Sequence, residues 1–208
     1  MLKIHGIKKL TENPFVNLYH LQVENRKGNP GSYYVASRAK TLQELELNTR
    51  KQSPDGVLIY SLYGENADRV VLVRQYRYSI DDYIYEFPAG LVEPGENFRE
   101  AAVRELREET GLTLTPLSVD EKFEKPYYTT IGMTDESCCT VYGYASGQVN
   151  LDRLEDSEEL EVVLADRREV DRILREERVA IMCSYMLMHF LHDREPFAFL
   201  KSSEITDS

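Results

Sequence analysis

Residues 90–112 read GLVEPGENFREAAVRELREETGL, and the second half of this stretch packs Glu105, Glu108 and Glu109 into little more than one helical turn. Asn97-Phe98-Arg99-Glu100 has the form of a capping box, so a helix is expected to begin there, and Gly111 supplies its stop. Between them Ala102, Val103 and Leu106 make an apolar stripe. At about 100° per residue the three glutamates fall together on an adjoining face. That placement is unfavourable twice over. Like charges three and four residues apart repel by roughly 0.2–0.5 kcal/mol per pair. Acidic groups in a last turn also oppose the helix dipole, by about 0.3–1 kcal/mol each. Arg104 and Arg107 relieve part of this, and a solvated charged face is the ordinary outcome for such a run. A divalent cation is the other way to offset the repulsion, since carboxylate oxygens are natural ligands for magnesium or manganese.

The flanking residues decide between these readings. The order is Gly90, five residues, Glu96, seven residues, then Arg104-Glu105-Leu106-Arg107-Glu108-Glu109-Thr110-Gly111-Leu112. This resembles the signature of the Nudix hydrolase family, Gly-x5-Glu-x7-Arg-Glu-U-x-Glu-Glu-x-Gly-U with U aliphatic, and every fixed position is filled. Such a match is far more specific than a lone GxGxxG. The resemblance implies an α/β fold, an α/β/α sandwich around a mixed β-sheet, and hydrolysis of a nucleoside diphosphate linked to a moiety X. It implies that Glu105, Glu108, Glu109 and the Ala89 carbonyl hold Mg2+, with Mn2+ the alternative. The metal would polarise phosphoryl oxygens and acidify a bound water. Glu96 and Arg104 are then expected to brace the loop against the helix. Gly90 and Gly95 suit a tight loop, Pro94 stiffens it, and Gly111 ends the helix.

Outside the box, RQYR (residues 74–77), EFPAG (residues 86–90) and Pro126, fifteen residues after Gly111, resemble the ADP-ribose pyrophosphatase branch. KPYYTTIGMTDE (residues 125–136) is similar to that branch's loop ending in an acid, although Thr130-Ile131-Gly132 stands where the branch has Ser-Pro-Gly. The branch implies Arg77 on a substrate phosphate or ribose, and Glu86 on a ribose hydroxyl or organising metal and water. Pro126 would shape a substrate pocket. Glu136 would be the catalytic proton acceptor on a mobile loop, with Asp135 the alternative. The expected reaction is Mg2+-dependent cleavage of ADP-ribose to AMP and ribose 5-phosphate. The alternatives are the same hydrolysis of another nucleotide sugar, such as GDP-mannose or ADP-glucose, and a non-catalytic ADP-ribose sensor. For base stacking Tyr19, Tyr33, Tyr34, Tyr127 and Tyr128 stay open.

The chain has 208 residues and a net charge of −11, which repels nucleic acid and anionic membranes. No apolar run reaches the roughly 20 residues that span a bilayer. MLKIHGIKKL lacks the apolar centre of a secretion leader, so a cytoplasmic location is expected. Cys138, Cys139 and Cys183 make neither a disulfide framework nor a zinc pattern, and read as small buried hydrophobes. FVNLYHLQVEN and SYYVAS read as strands of a small N-terminal β-domain over residues 1–52, whose open edges favour a homodimer. Residues 53–200 are expected to form the hydrolase domain and residues 201–208 a flexible tail. Within the former, VLIYSLY, RVVLVRQYRY, YIYEF, LSVDEKFE, ESCCTVYGYA and ELEVVLAD are strand candidates. Val179, Met182, Cys183, Met186, Leu187 and Phe190 mark the buried face of a late helix.

Overall fold

The computed structural model describes residues 2–154 and 159–201, so the expected tail lies, Lys201 apart, outside the described residues. In order, the chain forms β1 (Lys3–Lys9), β2 (Asn17–Glu24), β3 (Pro30–Ser37), α1 (Glu46–Thr49), β4 (Gly56–Tyr63), β5 (Arg69–Arg77), β6 (Asp82–Glu86) and β7 (Ala89–Leu91). There follow α2 (Phe98–Thr110), β8 (Thr113–Pro116), α3 (Glu121–Glu124), β9 (Tyr127–Tyr128), β10 (Ser137–Ser146), β11 (Leu160–Ala165), α4 (Arg167–Glu176) and α5 (Ile181–His192). Spatial proximity divides the chain into two compact units: Met1–Asp55 with Pro126–Cys138, and Gly56–Lys125 with Cys139–Ser208.

The first unit is an antiparallel meander, β1-β2-β3. In β2, Asn17, Tyr19 and Leu21 are buried while Leu18 is exposed, the period-two pattern of a sheet covered on one face. Tyr19, Leu21, Val35 and Leu45 are its core, and the Tyr19 hydroxyl donates to the Ala39 carbonyl at 2.5 Å. Asn25 closes the β2–β3 turn, its side-chain oxygen accepting from the amides of Lys27 and Asn29. Residues 126–138 belong to the same unit. There β9 pairs with the start of β10, and the Ala36 amide donates to the Met133 carbonyl at 2.9 Å.

The second unit is built on the larger, mixed sheet, with strand order β11-β5-β4-β10-β8 and β6 and β7 paired at its margins. Its strands read as nearly unbroken apolar runs because both faces are covered. Val57, Ile59, Val71, Cys139 and Val141 cluster with Ala101, Ala102 and Leu106 of α2. Their sequence neighbours Tyr60, Leu62, Val70, Leu72 and Tyr142 cluster with Val170, Ile173, Cys183, Leu187 and Phe190 of α4 and α5. Each fully buried aliphatic side chain there contributes about 1.5–3 kcal/mol.

Two local expectations fail. LSVDEKFE is not a strand: β8 precedes it, Leu117 adds one more ladder bond to the Tyr142 carbonyl, and then Asp120 caps α3 by accepting from the Lys122 amide. Leu117, Val119 and Phe123 alternate because they pack individually on the core, which mimics a strand's period. On α5, Cys183, Leu187 and Phe190 are buried, but Met182 is on the outer side. Among the cysteines, Cys139 and Cys183 are buried whereas Cys138 is only half-buried. Burial pushes the Cys139 thiol up to about 11, which keeps it protonated and inert. Among the described residues no helix is long and apolar enough to cross a membrane.

Candidate active site

α2 begins where its box begins. Asn97 lies in extended backbone and its side-chain oxygen accepts from the Arg99 amide at 2.9 Å. The helix ends on Gly111, whose φ of 75° is left-handed and whose amide donates to the Arg107 carbonyl. Gly111 is constrained a second way, since a Cβ there would come within 2.6 Å of the Asn150 backbone. Gly95 has a φ of 85°, as a tight loop requires. Gly90 is different: it lies in β7, opposite Val57, and is not among the positive-φ glycines. A Cβ on Gly90 would meet the Glu105 carboxyl carbon at 1.9 Å. Gly90 is there to let a carboxylate approach the backbone, which corrects the tight-loop reading at that position.

Arg104 organises the acidic face. Its Nε and Nη2 donate to the two oxygens of Glu96 at 3.0 and 2.9 Å, and Nη2 also donates to the Leu91 carbonyl at 3.1 Å. Its Nη1 donates to Glu105 at 2.7 Å and Glu108 at 3.1 Å. The Arg104 guanidinium is thereby held in its charged form even more firmly than usual, chiefly by Glu96. Reciprocally, the Arg104 contact holds the Glu96 carboxyl below the usual range against partial burial, aided by the Glu93 amide. Glu109 is only 2% exposed and accepts from the Ala89 amide at 3.2 Å. So the helix, the β7 backbone and the intervening loop are tied into one acidic structure.

Among the described residues no three His, Cys, Asp or Glu side chains converge as ligands of one ion. The physical reason is Arg104, whose guanidinium stands between Glu105 and Glu108. The donor set nevertheless fits a hard divalent cation. Its side chains offer carboxylate oxygens, and the group that stands between two of them is itself a cation. The Gly90 backbone also leaves room for the Glu105 carboxylate.

Elsewhere in this unit, Arg77 and Glu86 pair at 2.7 Å through Nε and Oε2. Arg74 of the same RQYR motif stacks over the Tyr83 ring, 4.2 Å from its centroid.

In the first unit, Pro126 is half-buried and leads into β9. Glu136 accepts on Oε1 from Arg38 Nε at 3.2 Å and Nη2 at 3.0 Å, and on Oε2 from Thr129 Oγ1 at 3.0 Å. Asp135 accepts from Ser37 Oγ at 3.0 Å. The loop before them is pinned, not loose: Tyr33 donates to the Gly132 carbonyl at 2.8 Å and Ala36 to that of Met133. Arg38 and Ser37 carried no signal in the sequence, because each is a single polar residue brought to the acids from outside any motif; Thr129 lies within KPYYTTIGMTDE but nothing there marks it as a partner of Glu136. Of the tyrosines, Tyr19 is wholly buried and unavailable for stacking on a ligand. Tyr34 stacks on His20 at 5.0 Å, and Tyr33, Tyr127 and Tyr128 are exposed.

Asp55 accepts from the Ser137 amide at 2.9 Å. Burial raises its pKa, with Glu136 and Asp135 adding to the rise and the Ser137 amide and Arg38 opposing it. A raised folded-state value means that the stabilising contribution is present below the unfolded value and is lost as pH rises through the folded one. Asp55→Asn keeps an acceptor for Ser137 and removes the charge. It should therefore melt above the unaltered chain at pH 7–8, with the two converging near pH 4. Thermal melts across that range check this, and a gap independent of pH would refute it.

Comparison with known proteins adds the following. Residues 52–182 match the NUDIX domain model. The chain is 33% identical over 102 residues to an ADP-ribose pyrophosphatase of Bacillus subtilis, covering 46% of this chain and 52% of that one. It is 40% identical over 77 residues to an ADP-sugar pyrophosphatase of Mus musculus, covering 36% of this chain and 35% of that one. The matches thus span about half or less of these curated relatives. A crystal structure of an ADP compounds hydrolase superposes with a TM-score of 0.60 at 20% identity, covering 84% of this chain and 83% of that one, which is a likeness of fold.

Proposed function

We propose that this chain, which belongs to the Nudix family, hydrolyses the pyrophosphate bond of ADP-ribose to AMP and ribose 5-phosphate with Mg2+, or Mn2+ in its place. The observation that carries the reading is the acidic face of α2. There Glu105 and Glu108 share one guanidinium nitrogen and buried Glu109 braces the backbone at Ala89. The names of the Bacillus subtilis and mouse relatives support the substrate class.

Glu105, Glu108, Glu109 and the Ala89 carbonyl would hold the cation. Bound there, it supplies charge neutralisation and Lewis acidity toward a pyrophosphate. Arg104 is suited to this because its duties are divided between atoms. Nε and Nη2 serve Glu96 and Leu91, whereas Nη1 alone serves Glu105 and Glu108. The brace to the loop therefore survives when the two glutamates turn to a metal. Arg77 binds a substrate phosphate or ribose by charge-assisted hydrogen bonds, with Glu86 fixing its guanidinium. Pro126 borders the substrate, and Glu136 accepts the proton of the attacking water.

A second reading, hydrolysis of another ADP-sugar, is favoured by the mouse relative's name and by Thr130-Ile131-Gly132 in the loop before Glu136. A panel of ADP-ribose, ADP-glucose, GDP-mannose, NADH and diadenosine polyphosphates with Mg2+, read by phosphatase-coupled phosphate release, separates the two. Highest kcat/KM on ADP-ribose is expected. Preference for ADP-glucose would favour the second reading, and no turnover on any of them would favour a sensor. We also infer a homodimer in a reducing cytoplasm, the assembly supported by the exposed Phe15, Val16, Leu18 and Tyr34 of the N-terminal unit. Sedimentation of the same preparation at micromolar concentration should give the dimer mass, and a monomer would overturn that assembly.

A further inference from the structure

On the outer side of α2 lies a groove of about 520 Å³ whose charged lining is Arg99, Glu100, Arg104, Arg107, Glu108 and Arg153. Four arginines and two glutamates line it, in a chain of net charge −11. Two of the four are already engaged: Arg104 with Glu96, Glu105 and Glu108, and Arg99 with buried Glu124. The other two are not. Among the described residues neither Arg107 nor Arg153 pairs with a carboxylate, although the chain has 36 acidic residues against 25 basic ones. Arg107 in the last turn of α2 is well placed for the helix dipole, but that accounts for a cation only, not for a second one across the groove. Arg153 stands in a turn outside any helix or strand and has no such reason to be there.

We propose that this groove is an anion site in which Arg107 and Arg153 bind a phosphate or pyrophosphate group. Guanidinium forks match the oxygens of such a group in paired hydrogen bonds. Val103 and Pro116 supply the apolar part of its lining. The group can come from a free inorganic anion or from a nucleotide, since both present the same oxygens.

Inorganic phosphate, inorganic pyrophosphate and AMP should be titrated separately into the full chain by calorimetry in EDTA. Neither metal nor turnover enters that readout, so a chain without hydrolase activity would leave the site intact. Saturable binding of at least one anion is expected, weakened about 10-fold or more in R107Q/R153Q, as the loss of charged hydrogen bonds implies. Tighter binding of AMP than of phosphate identifies a nucleotide as the source, equal binding a free anion. R153Q alone, outside the helix, should weaken binding measurably and carries the test if the double variant does not fold. Absence of saturable binding to the unaltered chain, or undiminished affinity in the Arg153 variants, overturns the proposal.

Discussion

Glu109→Gln is expected to lower kcat/KM on ADP-ribose by about 100-fold or more, equivalent to about 2.7 kcal/mol of transition-state stabilisation, with no loss of melting temperature. The two halves of that expectation come from the same geometry. Glu109 is buried to 2% exposure in the last turn of α2, where the dipole disfavours a negative charge. It also follows Glu105 by four residues and Glu108 by one. The dipole and the neighbouring carboxylates both disfavour that charge, and a bound cation would offset them. Glutamine retains the oxygen that accepts from the Ala89 amide and discards the charge. The fold should therefore be as stable or more so, while the affinity for a divalent ion falls. Mn2+ titration by calorimetry gives a reading independent of turnover. Near-normal turnover at saturating Mg2+, or unchanged Mn2+ affinity, would remove Glu109 from the metal site.

Much of this site was legible because it is local. A box confined to residues 90–112 needs only helical periodicity and capping chemistry, and Asn97 and Gly111 end the helix where those rules put them. The strands β4, β5 and β10 were legible for a different reason. A sheet covered on both faces leaves continuous apolar runs, and those runs stand out from their surroundings. β1 escaped notice because KIHGIKK is an outer strand with three lysines and little alternation. The reason for Gly90 was hidden too. Its constraint comes from Glu105, fifteen residues further on, and a glycine gives no sign of whether it serves a backbone angle or a neighbour. The least legible feature is the attachment of residues 126–138 to the N-terminal meander. Ser37 reaches Asp135 and Arg38 reaches Glu136 across 98 residues of chain. No periodicity reports a contact of that range, so the loop read as mobile when its hydrogen bonds hold it in place.

That restraint bears directly on Glu136→Gln, for which we expect kcat to fall about 100-fold or more with little change in KM. A proton acceptor must be oriented and must keep a lone pair available. A carboxylate offers about four lone-pair sites. Arg38 engages Oε1 through two nitrogens, while Oε2 accepts the Thr129 hydroxyl and has a second site left. The Glu136 amide, meanwhile, donates to Thr134 Oγ1 at 3.1 Å, which fixes the backbone beneath the side chain. Glutamine has nearly the same shape, so binding of the ground state should change little. It cannot take up a proton, so the loss belongs in the transition state. Asp135→Asn serves as the internal comparison, because Asp135 is adjacent and spends an oxygen on Ser37. It should cost much less. Steady-state kinetics on both variants at saturating Mg2+ decide the matter. If the Asp135 variant is the damaged one, or if the Glu136 loss falls in KM alone, Glu136 is not the base and its bonds to Arg38 and Thr129 serve only to fasten the loop.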